Sequence, residues 1–131
     1  MTFDLIIHEG FSALKIGQLR SEVGAMLIGH DLTVHAREPN TDFFTDIGLI
    51  ASYDQENTLE YIEISFPSKA CLCKSNLLGL TRDEALNIIK TLIDEEPVLE
   101  FGSFIYRGER LAFKVFEGLV ESVSVFKFGY L

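Results

Sequence analysis

Apolar and polar positions alternate along this chain with two periods, one close to 3.6 residues and one of two, and each period occurs twice. Leu19, Val23, Met26 and Leu27 fall at i, i+4, i+7 and i+8, one buried helical stripe, and predict a first helix over about 19–28 with Gly29 as its stop. Ala85, Leu86, Ile88, Ile89, Leu92 and Ile93 form a wider stripe and predict a second helix over about 82–95, closed by Pro97. The second helix opens on Thr81-Arg82-Asp83-Glu84, a capping box in which the Thr hydroxyl accepts from the Glu84 N–H and the Glu84 carboxylate reaches back to the Thr N–H. The first has Leu19 at the Thr81 position and lacks that cap.

Period-two segments follow each helix. Phe43–Ile47, Leu49–Tyr53 and Leu59–Phe66 read as strands, with Asp54-Gln55-Glu56-Asn57 as the turn between the last two. Phe3–Ile7 reads as a short strand or an ordered lead-in to the first helix, and Ala70–Cys73 adds a short fourth strand to the first half. Behind the second helix come Gly102–Tyr106, Leu111–Phe116 and Leu119–Phe128, joined by Arg107-Gly108-Glu109 and Glu117-Gly118, loops short enough to require antiparallel neighbours. Alternation assigns Ile62, Ile64, Phe66, Leu111, Phe113, Val115, Val123 and Val125 to a helix-covered core. Tyr61, Glu63, Ser65, Ala112, Lys114, Phe116, Ser122, Ser124, Phe126 and Phe128 then share an open face.

The two halves also align. Ile16-Gly17-Gln18-Leu19-Arg20-Ser21-Glu22-Val23 lies on Leu78-Gly79-Leu80-Thr81-Arg82-Asp83-Glu84-Ala85 without a gap, an offset of 62 residues (79 − 17). Glu60-Tyr61-Ile62-Glu63-Ile64 lies on Glu121-Ser122-Val123-Ser124-Val125 after a one-residue deletion. The expected fold is therefore α+β: one domain of two tandem helix-plus-antiparallel-strand repeats, about 10–75 and 76–131, forming one sheet with both helices on one face. No Pro-rich or Ser/Gly-rich run separates the halves, and 47% hydrophobic content in 131 residues is enough for one shared core.

Charge narrows the function classes. Twenty acids against eleven bases give −9, which argues against nucleic acid or an anionic membrane as partner. Between Glu38 and Ser68 stand Glu38, Asp42, Asp46, Asp54, Glu56, Glu60 and Glu63 without one Lys or Arg, so the first half of the sheet is expected to carry a negative field. Asp94-Glu95-Glu96 adds a second acidic group at the expected end of the second helix, facing the negative end of its dipole. Residues Met1 to Gly10 lack a basic leader pattern, and no stretch approaches the roughly 18 apolar residues of a membrane span. With Cys71 and Cys73 as the only cysteines, too close on a strand for a disulfide, the expected setting is the reducing cytoplasm.

No catalytic constellation stands out. His30 and His35 are five apart without a carboxylate pattern, and His8 is isolated, so all three read as surface histidines. Cys71-Leu72-Cys73 has no second cysteine pair with which to complete a zinc site, and Gly10, Gly17, Gly24 and Gly29 form no phosphate-cradling motif. No cofactor, metal site or catalytic residue is assigned, and the chain reads as a non-enzyme.

Leu78-Gly79-Leu80-Thr81-Arg82-Asp83-Glu84 ahead of an amphipathic helix, followed by Leu111-Ala112-Phe113 and a Gly turn to Val123-Ser124-Val125-Phe126, resembles the helix-then-hairpins unit of the beta-lactamase inhibitory protein and BamE-like architecture. It is similar as well to small cytosolic immunity proteins of bacterial contact-dependent and polymorphic toxin systems. The resemblance implies helices on one side of a sheet and a protein gripped on the other. On that reading the expected function is an immunity or inhibitor module that neutralises a basic partner such as a toxin nuclease. Its contact residues would be Asp54, Glu56, Glu60, Tyr61, Glu63, Phe116, Phe126, Phe128, Asp94, Glu95 and Glu96. A small enzyme or ligand-binding domain with a cleft between the halves, or a self-associating structural domain such as a homodimer, are the other expectations.

Overall fold

Each helix opens where a carboxylate three residues in reaches back to the backbone N–H before it, and each is short. In the computed structural model, which describes residues 1–131, the chain begins with β1 (Thr2–Ile6), β2 (Gly10–Phe11), β3 (Leu14–Lys15) and α1 (Arg20–Met26). It continues through β4 (Leu32–His35), β5 (Glu38–Phe44), β6 (Leu49–Tyr53), β7 (Leu59–Ser65), β8 (Lys69–Leu72) and β9 (Ser75–Asn76). It closes with α2 (Arg82–Lys90), β10 (Val98–Glu100), β11 (Ser103–Tyr106), β12 (Leu111–Phe116) and β13 (Leu119–Phe126).

The expected α+β plan is overturned. Strand takes 47% of the chain and helix 12%, and the strands form two sheets instead of one. The larger has eight strands in the order β10-β11-β12-β13-β7-β6-β5-β4; the smaller has five, β3-β2-β1-β8-β9. The small sheet is joined by a long-range parallel pairing of β1 with β8, Phe3 opposite Ala70, which no local pattern announces. The predicted Ala70–Cys73 strand belongs to this second sheet, and β1–β3 ahead of α1 have no equal counterpart ahead of α2. The helices are also shorter than predicted. The apolar stripe continues through Leu92 and Ile93, but α2 ends at Lys90 with Thr91 as its C-cap, so Asp94-Glu95-Glu96 lies beyond the helix and does not face its dipole.

The helices and the small sheet cover one face of the large sheet, and the core lies between. Phe3, Leu5, Phe11, Leu14, Ala70, Leu72 and Leu77 from the small sheet and its loops meet Ile62, Ile64, Val123, Val125, Leu111 and Phe113, with Val23 of α1 and Ile89 of α2. Phe66 was expected there and is not: β7 stops at Ser65, and a turn closed by the Ser68 N–H donating to the Ser65 carbonyl carries Phe66 into solvent.

Within the large sheet some local features recur at the sequence offset. Gly17 N–H donates to the Leu59 carbonyl at 2.8 Å, and Gly79 N–H to the Val120 carbonyl at 2.9 Å. Both glycines hold positive φ, +93° and +85°, which only glycine adopts at little cost. A bulge interrupts each central hairpin: Ser52 faces Tyr61 and Tyr53 faces Leu59 with Glu60 extra, while Lys114 faces Ser122 and Val115 faces Val120 with Glu121 extra. The halves meet where β7 pairs antiparallel with β13, Ile62 opposite Val125.

Candidate protein-binding surface

The face of the large sheet turned away from the small sheet is built from the other half of each alternation. β7 contributes Tyr61, Glu63 and Ser65, and β13 contributes Ser122, Ser124 and Phe126 beside them. Ser124 sits between Ala112 and Glu63, and Ser122 between Lys114 and Ser65, so each buried hydroxyl has one short neighbour and one long one. The centre of this face is thus a serine floor.

One end of the floor is closed by the chain itself. After β13 a turn, Tyr130 N–H to Lys127 carbonyl, brings Tyr130 back over the sheet. Its ring stacks on Tyr61 at 5.1 Å between centroids and lies 6.3 Å from Phe126. Phe126, expected to be open, is therefore only 2% exposed, packed with Ile105 and Ala112. Tyr61 donates to Glu63 at 2.8 Å, and burial, with the Glu63 charge behind it, pushes the Tyr61 phenol above its ordinary range. Tyr61 and Glu63 are together as expected, but they serve each other.

The opposite end of the sheet is open. Phe66 is 85% exposed, Phe116 60% and Leu119 48%, and with Ser68, Asn76 of β9, Leu78, Gly79 and Val120 they surround a hollow of about 330 Å³ where the end of the large sheet meets the loops of the small one. Phe101 is fully exposed on a turn whose Gly102 carbonyl accepts from Val115 N–H, next to Phe116. Glu121 lines the hollow, 3.8 Å from Lys114, and Glu117 is exposed in the turn that follows Phe116. Apolar groups this large, clustered and rimmed by charge, mark interaction surfaces more often than chance exposure does. Of these residues the sequence placed only Phe116 on the open face. It assigned Phe66 to the core by carrying alternation one residue past the end of β7, and Phe101 lies on a turn, where alternation has no meaning.

The predicted acids are dispersed. Asp54 accepts from Glu56 N–H, Thr58 N–H and the Thr58 hydroxyl, closing the β6–β7 turn, and its carboxyl is held below the ordinary range, chiefly by that hydroxyl. Lys127, from the far half, reaches Glu60 at 3.0 Å and Asp54 at 3.8 Å. Asp42 is buried against Arg20. The expected negative field of the first half is therefore partly neutralised. Glu95 accepts from Gly108 and Glu109 N–H groups and ties the β11–β12 turn down, leaving Asp94 and Glu96 exposed beside it. With burial, Glu96 and Glu95 help push the Tyr106 phenol up to about 12. Glu56 is exposed at its turn, and Phe128 is exposed in the turn after β13 instead of on the strand.

The histidines hold loops. His8 contacts the Glu109 carboxylate, bridging the small sheet to the β11–β12 turn, and His30 meets Asp46 at 2.7 Å. His35 lies edge-on to Phe43 at 4.6 Å. Cys71 is half-buried on β8, and Cys73 is exposed in the following turn with φ 52°. No helix is long and apolar enough to cross a membrane.

Comparison with protein-family models, with curated proteins and with solved structures finds no match to this chain.

Proposed function

We propose that this protein is a non-catalytic binding module of the inhibitor or immunity type, which takes a basic protein partner, such as a toxin domain, against the open end of its large sheet. The observation that carries the reading is the aromatic hollow: Phe66, Phe116 and Leu119 stand exposed together on a chain whose net charge is −9. Apolar anchors of this kind supply contact energy, and the surrounding carboxylates speed encounter with a cationic surface. Glu117 is the free exposed acid next to Phe116, and Glu121 lines the hollow with Lys114 3.8 Å away, whereas Asp54, Glu60 and Glu95 have carboxylates occupied within the fold and Glu56 stands at the far end of β7.

The test is capture by the immobilised full chain from cells expressing the neighbouring open reading frame, side by side with a Phe66→Ser/Phe116→Ser variant. The expected result is one stoichiometric basic protein retained by the wild type, with affinity reduced at least ~30-fold in the variant, as loss of a hot spot of about 2 kcal/mol requires. Equal retention by both proteins would place the contact elsewhere.

A further inference from the structure

The edge strands of the molecule differ in how well they are defended. β3 and β9 are two residues long, and β10 is three, follows Asp94-Glu95-Glu96 and ends on Glu100. β4 is four residues, Leu32-Thr33-Val34-His35, without the Lys, Pro or acid that usually blunts an edge, and its register against β5 is regular from Leu32 to Val34 and shifts only at His35. Asp31 donates its N–H to the Asp46 carboxylate at 3.0 Å and accepts from Thr45 N–H at 3.2 Å, so its backbone faces β5. Alternation turns Thr33 the same way and leaves the N–H and C=O of Leu32 and Val34 pointing off the sheet. Their side chains lie on the core side, because their partners Phe44 and Asp42 are buried, yet they remain 53% and 49% exposed. Apolar surface and unpaired backbone groups thus coincide.

We propose that β4 pairs antiparallel with β4 of a second copy of this chain about a twofold axis at Thr33. The axis at Thr33 sets Leu32 opposite the partner's Val34 on a shared face, and the outward backbone groups of those two residues are the ones that exchange hydrogen bonds, so both apolar side chains of the edge are used. The regular stretch ends at Val34, and the residues that flank it, Asp31 at one end and His35 past the register shift at the other, are unlike, so no like charges meet. This self-complementarity decides for a second copy over an unrelated strand. Because the contact is isologous it closes at two protomers, joining both large sheets into one. The aromatic hollow lies elsewhere on the sheet, so the two proposals fail independently.

The dimer is tested by light-scattering mass across a concentration series of the full chain, from micromolar to about millimolar. A monomer–dimer equilibrium is expected, weakened at least tenfold by Val34→Lys with the circular dichroism spectrum unchanged. In a Cys71→Ser/Cys73→Ser background, Thr33→Cys is expected to form a covalent dimer on mild oxidation, since a non-hydrogen-bonded pair brings Cα atoms to about 4.5 Å, within disulfide reach. A monomer at every concentration, open-ended oligomers, or a dimer that tolerates Val34→Lys and yields no Thr33→Cys cross-link would each overturn the proposal.

Discussion

Arg20 and Arg82 occupy matching first positions of α1 and α2, but they meet different surroundings. Arg20 reaches Asp42 with two contacts, 2.5 Å and 3.2 Å, and lies 5.0 Å from the centre of the Tyr53 ring. Arg82 contacts only its neighbour Asp83, in solvent. The reason lies in the strands beneath. In the first half the cross-strand pair under the helix is Asp42 and Ala51, small enough to admit a guanidinium; at the matching place in the second half it is Phe104 and Phe113, stacked at 5.0 Å. One half fills the space with an ion pair and the other with two rings. The same strand register therefore supports two solutions, and charge near a sheet is not the same as charge available to a partner.

The contrast can be broken from its apolar side first. Phe113 is 1% exposed, and Phe113→Ala is expected to cost about 3–5 kcal/mol, read from urea denaturation, because the stacked neighbour cannot fill the void. Asp42→Ala leaves Arg20 without its carboxylate. Breaking a buried pair costs about 3–5 kcal/mol, and since Arg20 retains some solvent the expected loss is about 2–3, whereas Arg82→Ala should change stability by less than about 0.5. If Asp42→Ala proves as mild as Arg82→Ala, the first-half ion pair has no structural weight.

The caps provide a smaller contrast. Thr81 accepts from Glu84 N–H, while at α1 Glu22 reaches back to Leu19 N–H but Leu19 has no oxygen with which to accept. Thr81→Ala is expected to cost about 1 kcal/mol, and Leu19→Thr to return a similar amount, in the same denaturation experiment.

The turns differ in their response to acid. Asp54 holds the β6–β7 turn through a carboxylate, whereas Glu117-Gly118 closes β12–β13 with two positive φ angles, the geometry of a type I′ turn, without one. A carboxyl whose pKa is lowered by folding stabilises fully above its unfolded value, near 4, and that contribution is lost as pH falls through the folded value. Melting temperature should therefore decline below about pH 4, and Asp54→Asn should make the decline shallower without removing it, because Asp46 and Glu84 are lowered too.

Local chemistry was legible in the residues where it is local. The Thr81 cap, the Asp54–Asn57 turn and the inward set Ile62, Ile64, Leu111, Phe113, Val123 and Val125 all follow from spacing a few residues long. What spacing cannot report is which sheet a strand joins. β2, β3 and β9 are two residues each and have no period to detect, and the β1–β8 pairing depends on tertiary packing. β4 has apolar residues two apart, but with Gly29 before it and a ten-residue exposed run around it the segment lacks a buried side to betray it. At the proposed surface the failure has the same cause: Phe126 is covered by a ring four residues later, and Phe66 is released by a turn one residue past its strand.

The join between β7 and β13 has a consequence for how the molecule is made. During synthesis β7 leaves the ribosome with one long side unsatisfied, and it stays so until residues some sixty positions later emerge to lie against it. Such distant closure is slow, which makes the nascent first half a client for chaperones and exposes it to premature pairing with other chains.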